Sequence, residues 1–351
     1  MRISLILLLC CVALYSCKKD NPLPGSSDSY DFSSVEKVLD DSVPRVMGGK
    51  CFALIAVDGK VVFQKGYGNY DGNTRQLVAS CSKWLSGAVV MSMVDEGKFK
   101  LSDTIGKYLP VFSQYGKGNV TIAQCFSHTS GFPGASEEGY ENNQLITLET
   151  AVNQIAQNVP LEHTPGTVFN YGSVGMQIAG RICEVVSGKS WSALFKDKIA
   201  DPCGMTQTDY GSGRNPLVAG GARSTPNDYL RFLVMLMQNG IAPGGTKVLS
   251  EQAVQQLEAN QTANATILYS PYPVDKLDAS GIYGIGNWRD LLSSDGTLIE
   301  NSSPGAFGSH PWINRGKKIT GIIFTFILTE GGQKTFPTSL KIRELCRQIV
   351  P

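Results

Sequence analysis

Ser80 and Lys83 stand three residues apart in Val78-Ala79-Ser80-Cys81-Ser82-Lys83, at the head of the apolar run Trp84-Leu85-Ser86-Gly87-Ala88-Val89-Val90-Met91. Residues at that spacing share one face of a helix. On such a face an amine can take the proton of a hydroxyl. The free N–H groups and the positive dipole end of the helix N-terminus favour the alkoxide that results. Ser80 is therefore a candidate nucleophile that needs no histidine. The Ser-x-x-Lys spacing also occurs at Ser16–Lys19 and at Ser34–Lys37. The first lies in the leader, and Ser34 reads as the N-cap of an exposed helix. Only Ser80–Lys83 opens an all-round apolar helix, the pattern of a buried one, with Gly97 after Asp95-Glu96 as its stop.

Two further stretches carry candidate chemistry. In Pro165-Gly166-Thr167-Val168-Phe169-Asn170-Tyr171-Gly172-Ser173, a tyrosine among polar residues precedes a helical segment. Beside a lysine ammonium its phenol is expected to have a lowered pKa and to relay protons. In Ser302-Ser303-Pro304-Gly305-Ala306-Phe307-Gly308, small residues allow close approach to a sheet edge. The N–H groups of Ser80 and Ala306 are the expected oxyanion hole. The chain has no Gly-x-Ser-x-Gly pentapeptide, which argues against an α/β-hydrolase. Its three histidines are scattered, so neither a metal nor another cofactor is expected. His128, in Ser127-His128-Thr129-Ser130-Gly131, reads as part of a hydrogen-bonded loop rather than as a base.

These residues must be positioned by the elements around them. The 351 residues allow a sizeable core, and 42% hydrophobic with 17% charged residues is ordinary for a globular protein. A net charge of +1 with no basic run argues against nucleic acid as a partner. Ser34 to about Met47 has helical periodicity. Cys51–Val57 and Lys60–Lys65 read as strands joined at Asp58-Gly59. Residues from about 84 to 245 read as mostly helical, through Thr121–Ser127, Leu148–Gln157, Val174–Val186, Trp191–Ile199 and Thr225–Gln238. Strand signals return at Tyr283–Trp288, Gly308–Asn314 and Lys318–Leu328, and a helix is expected over Thr338–Ile349. The fold expected is α+β: a central antiparallel sheet flanked by helices and built from both chain ends, with a mostly helical subdomain inserted. A cleft belongs at the junction of the two parts.

Together the three stretches resemble the class C β-lactamase-like serine hydrolases, a group of β-lactamases, penicillin-binding proteins, D-amino-peptidases and esterases. Leu101-Ser102-Asp103-Thr104-Ile105-Gly106-Lys107-Tyr108-Leu109-Pro110, Ser127–Pro133, Pro202-Cys203-Gly204-Met205-Thr206 and Gly220-Gly221-Ala222-Arg223-Ser224-Thr225 fit the same resemblance, which covers about residues 35–350. It implies Ser80 as nucleophile and Lys83 and Tyr171 as the proton-transfer pair, with the base undecided between them. It also implies Ser173, Ser303 and Gly305 as substrate-binding positions. The chain departs from the family pattern twice. Ser173 stands where the tyrosine motif has asparagine, and Ser303 stands where the third motif has a cation. A neutral hydroxyl gives up a charge-assisted bond to a carboxylate, a loss of about 1.5–3 kcal/mol in recognition. The resemblance thus implies a hydrolase acting on an ester or amide of a small molecule or peptide through an acyl-enzyme. The alternatives are a true class C-type β-lactamase or D-amino peptidase, and a non-catalytic surface lipoprotein that only binds.

The N-terminus reads as a targeting segment. Arg2 precedes an apolar run from Ile3 to Leu14, too short to span a bilayer, and Leu14-Tyr15-Ser16-Cys17 resembles a lipobox. Residues 1–17 are thus the expected lipoprotein signal with Cys17 lipidated, 18–31 a Pro/Ser/Gly-rich tether, and 32–351 the hydrolase-like domain. Lys18-Lys19-Asp20 resembles the export signals of some Gram-negative surface lipoproteins. The expected location is the cell envelope, with the membrane contacted through a lipid anchor. Cys51, Cys81, Cys125, Cys183, Cys203 and Cys346 permit disulfides in an exported chain, and Cys81–Cys125 and Cys183–Cys203 are the pairs expected.

Overall fold

The strand Cys51–Val57 (β1) is apolar at every position. A run without in–out alternation belongs to a strand covered on both faces. In the computed structural model, which describes residue 25 and residues 30–272 and 282–351, β1 lies inside a six-stranded antiparallel sheet. The other strands are β2 (Lys60–Tyr67), β3 (Trp288–Leu292), β4 (Leu298–Ser302), β5 (His310–Asn314) and β6 (Ile319–Phe324), in the spatial order β2-β1-β6-β5-β4-β3. The N-terminal hairpin pairs with the last C-terminal strand, so both chain ends build one sheet. The hairpin turns at Asp58 and Gly59, both with positive φ, as tight two-residue turns require.

The principal helices are α1 (Ser33–Val46), α2 (Ser82–Asp95), α3 (Leu148–Asn158), α4 (Val174–Ser187), α5 (Pro226–Met237) and α6 (Gly331–Ile349). Val35, Leu39 and Val43 of α1 and Ile342 and Cys346 of α6 meet Ala53 and Ile55 on one face of the sheet. Phe52, Leu54 and Ala56 point the other way, into the larger core built on the inserted helices. At the centre of that core is α2, in which every residue from Ser82 to Met93 is buried. Its Gly87 would place a Cβ 2.2 Å from the Ile285 carbonyl, so this crossing admits no side chain.

Several expectations are corrected. Tyr283–Trp288 is not a strand. Tyr283 makes a single bridge to Trp288 across a turn, and only Trp288 enters β3. The turn is forced by Gly286, which has φ +81° and would set a Cβ 2.1 Å from the Lys83 carbonyl. Strand β4 was unforeseen because it ends in Glu300-Asn301-Ser302, a polar run that is nevertheless buried. Helix α6 starts at Gly331, ahead of the expected Thr338. The glycines there pack closely on other backbone, and Gly332 N–H bonds the Ala306 carbonyl. A short parallel pairing of Val168–Asn170 with Thr266–Tyr269 was also unforeseen. The expected disulfides are absent: the six cysteines among the described residues are free and buried, acting as small apolar fillers of the two cores. The expected signal, Cys17 and most of the tether lie outside the described residues.

The polar end of β4 is explained by α6. Buried Arg343 donates Nε to Glu300 at 2.6 Å and Nη2 to Asp290 at 2.6 Å, and its Nη1 meets His310 Nε2 at 3.2 Å. Arg347 and Asn314 complete the shell of Glu300. Replacing one partner of a buried ion cluster strands the rest without compensation. Arg343→Met is therefore expected to lower unfolding free energy in urea by about 3–5 kcal/mol, because Asp290 is left buried without its cation and Glu300 keeps only Arg347.

Candidate active site

Ser80 lies in a single 3-10 turn, Ala79–Cys81, that runs directly into α2. Ala79 has φ +46°, a left-handed conformation unusual for a residue with a Cβ. Such strain is stored at sites where the surroundings over-determine the backbone, and here they do. The Ser80 carbonyl accepts from the Ser303 hydroxyl at 2.9 Å, the Cys81 carbonyl from Tyr229 at 2.7 Å, and the Ser82 carbonyl from Tyr210 at 3.0 Å. Val78 N–H bonds the Ala222 carbonyl, and Ala222 N–H bonds the Ser82 hydroxyl. Hydroxyls from three distant segments thus hold three successive carbonyls, those of Ser80, Cys81 and Ser82.

Lys83 is one helical turn below Ser80 and 3% exposed. Its Nζ lies 3.3 Å from Ser80 Oγ and donates to the Ala219 carbonyl at 2.9 Å. Burial pushes its pKa down to about 7. With a proton directed at Ala219, the neutral amine has its lone pair free for the serine hydroxyl. Tyr171 comes from the loop before α4, where its N–H is held by the Tyr269 carbonyl. Its ring stacks on Trp288 with centroids 5.4 Å apart, packs on His128 at 4.4 Å, and has Lys83 Nζ 4.7 Å above its centroid. The phenol lies close enough to Ser80 for that hydroxyl to pull its proton affinity down.

The expected lowering of the Tyr171 pKa is corrected. Burial dominates and pushes the phenol above its ordinary range, with the Ser80 hydroxyl opposing only in part. Tyr171 thus holds its proton, and Lys83 is the group that exchanges one near neutrality. His128 is buried, with φ +61°. Burial first and the Lys83 charge second hold its pKa well below the ordinary value. Its Nδ1 accepts from Gly172 N–H at 3.3 Å, which ties the histidine loop to the tyrosine loop.

The third stretch also reaches the Ser80 turn. Gly305 would place a Cβ 2.4 Å from the Val78 carbonyl and 3.1 Å from Cys81 Sγ, so only glycine fits there. Ser303 is buried, and its hydroxyl is occupied by the Ser80 and Gly286 carbonyls. Ala306 is exposed; neither its N–H nor that of Ser80 has a backbone acceptor among the described residues. Ser173 lies at the start of α4, its N–H bonded to the Gly134 carbonyl at 2.6 Å and its hydroxyl without a bond among the described residues. Ala219, Tyr210 and Tyr229 were not singled out beforehand. A backbone carbonyl has no sequence signature, and neither Tyr210, in the polar run 206–213, nor Tyr229, in the first turn of α5, belongs to a spacing that marks it as a clamp. The nearby run Gly220–Thr225 was the available signal.

Two outcomes follow from this geometry. Reaction of Ser80 with a fluorophosphonate is expected to rise with pH through about 7, because the neutral form of Lys83 replaces the ammonium as pH passes its depressed pKa. A rate profile measured over that range checks it. Ser303→Ala removes one of the three hydroxyl clamps and is expected to lower stability by about 1 kcal/mol, read as a lower thermal midpoint.

The beta-lactamase family pattern matches residues 50–335. Penicillin-binding protein 4 of Amycolatopsis lactamdurans is 29% identical over 230 residues, which are 56% of this chain and 56% of that protein. Protein flp of Staphylococcus aureus (strain N315) is 26% identical over 196 residues, 52% of this chain and 39% of its own length. The chain spans about half the length, or less, of these curated relatives. Among solved structures, a Bacteroides dorei DSM 17855 protein provisionally described as a β-lactamase is 32% identical with a TM-score of 0.81, covering 90% of this chain and 100% of that one. EstCE1, described as a hydrolase with promiscuous acyltransferase activity, shares the fold at a TM-score of 0.69 and 17% identity, over 89% of this chain and 97% of its own. Since the family match runs from the first strand into the last helix and takes in every side chain gathered around Ser80, this chain belongs to the beta-lactamase family.

Proposed function

We propose that the protein is a serine hydrolase that cleaves an ester or amide through a Ser80 acyl-enzyme. The observation that carries this is the buried Lys83 amine, 3.3 Å from Ser80 Oγ and anchored on Ala219. Lys83 removes the Ser80 proton as the oxygen attacks the substrate carbonyl. The N–H groups of Ser80 and Ala306 hold the oxyanion. Tyr171 gives its proton to the leaving group and regains one from the Lys83 ammonium. Water activated by the same pair then releases the acid and restores Ser80. Ser173, Ser303 and Gly305 are the proposed substrate-side residues, with Ser303 acting largely through the Ser80 carbonyl that its hydroxyl holds.

The substrate class favoured is one without a carboxylate beside the reacting carbonyl. Ser303 stands where a cation would bind such a group, and its hydroxyl is already bonded to backbone. The names of similar proteins span penicillin binding and acyl transfer. They are compatible with this chemistry and do not choose among its substrates. On its leader sequence, the protein acts at the cell envelope, lipid-anchored through Cys17.

Intact-mass spectrometry after exposure to a fluorophosphonate is the direct test. Wild type is expected to gain one adduct, Ser80→Ala none, and Lys83→Met is expected to react at least about a hundredfold more slowly. A p-nitrophenyl acyl ester is expected to turn over faster than nitrocefin. Faster nitrocefin turnover points to a true β-lactamase. Absence of any Ser80 adduct leaves a binding module.

A further inference from the structure

Behind Tyr171 lies a cluster of buried aromatic residues, Phe169, Tyr171, Tyr272, Tyr283, Trp288 and Phe336. Most of its members are accounted for by packing. Tyr283 is not. Its ring is fully buried and packs on His128 at 4.8 Å, on Trp288 at 5.0 Å and edge-on to Tyr171 at 6.1 Å. Its hydroxyl completes no hydrogen bond of normal geometry, yet it lies close enough to the Tyr171 phenol for each to act on the other's proton affinity. A buried hydroxyl left unsatisfied is costly, and phenylalanine would fill the same volume without that cost. Orphaned polar atoms of this kind call for a reason, and a catalytic role is one. The other orphaned donors of this region, Trp288 Nε1 and His128 Nε2, offer no acceptor to Tyr283.

Given the roles of Ser80, Lys83 and Tyr171 proposed above, we propose that Tyr283 is a positioning residue whose hydroxyl donates a hydrogen bond to the Tyr171 oxygen once that phenol has passed its proton to the leaving group. No covalent bond to Tyr283 is made or broken, and it keeps its own proton throughout. The phenolate on Tyr171 lasts until the Lys83 ammonium, over the same ring, returns a proton. In the resting protein the Tyr171 oxygen is a neutral, weak acceptor, and the contact with Tyr283 stays unformed. In the charged state it becomes a strong acceptor, and the bond closes. A donor that bonds only when charge develops stabilises the transition state more than the ground state, which is the condition for raising kcat rather than lowering KM. The turn that delivers Tyr283 is the one forced by Gly286 against the Lys83 carbonyl, so amine and second phenol share one backbone support.

The test is Tyr283→Phe in the full chain. With a p-nitrophenyl acyl ester, kcat is expected to fall about tenfold with KM nearly unchanged, the loss of one hydrogen bond made only in the transition state. The thermal midpoint is expected to hold or rise, since the hydroxyl removed is unsatisfied in the resting fold. A merely structural tyrosine gives the opposite pair, a lower midpoint with unchanged kcat, and that result overturns the proposal. So does a variant whose kcat and midpoint both match wild type. Fluorophosphonate labelling of Ser80 in both proteins separates the two levels. A wild type that labels, beside a variant with unaltered kcat, sinks the role of Tyr283 alone. A wild type that does not label sinks the Ser80 reading and this inference with it.

Discussion

A primary amine is a useless base at neutral pH while water keeps it protonated, and the burial of Lys83 removes that water. Solvent exclusion brings its pKa to about 7, and the Ala219 carbonyl fixes where its hydrogens point. Everything else around Ser80 can be read as serving that one desolvation. Helix α2 is buried on all sides so that its first turn can hold an amine in an apolar setting. The cost of burying a charge-bearing group is borne by the large hydrophobic core around it. The result is an amine that exchanges its proton near neutrality.

The same low-dielectric setting acts in opposite directions on the partners. It lowers Lys83 and His128 and raises Tyr171, because in each case the neutral form is the one that survives burial. A lysine–tyrosine pair in water would meet as ammonium and phenol. Here, with the lysine brought to about 7, the neutral amine is a substantial form near neutrality beside a protonated phenol. In the mechanism proposed above, this is how two groups of high intrinsic pKa do acid–base chemistry without a histidine; His128 instead ties its loop to Gly172.

Rigidity is the second requirement, and it is met by hydroxyls rather than by charges. Ser303, Tyr229 and Tyr210 come from widely separated segments and end on three consecutive carbonyls. Ala79 is held in a left-handed conformation by the same surroundings. The buried ions Arg343, Asp290 and Glu300 instead tie α6 to the sheet. Charge is thus used on the side of the sheet covered by α6, and neutral bonds where Ser80 sits. A fixed ion beside Lys83 would alter the proton affinity that burial sets.

The chain's own pattern determined the buried helix that begins at the Ser80 turn, the Asp58-Gly59 hairpin, and the assembly of one antiparallel sheet from both ends. Each is a local signal: a spacing of three, a turn dipeptide, runs of apolar residues. Tertiary structure alone decided the rest. It turned Tyr283 back at Gly286 instead of letting it run on as a strand, kept six cysteines as free thiols, and buried the polar end of β4 beneath Arg343. It also raised the Tyr171 phenol that proximity to a lysine was expected to lower. These features depend on which distant groups share a volume closed to water. Spacing along the chain encodes which residues face the same way, while desolvation and hydrogen-bond completion depend on everything packed around them.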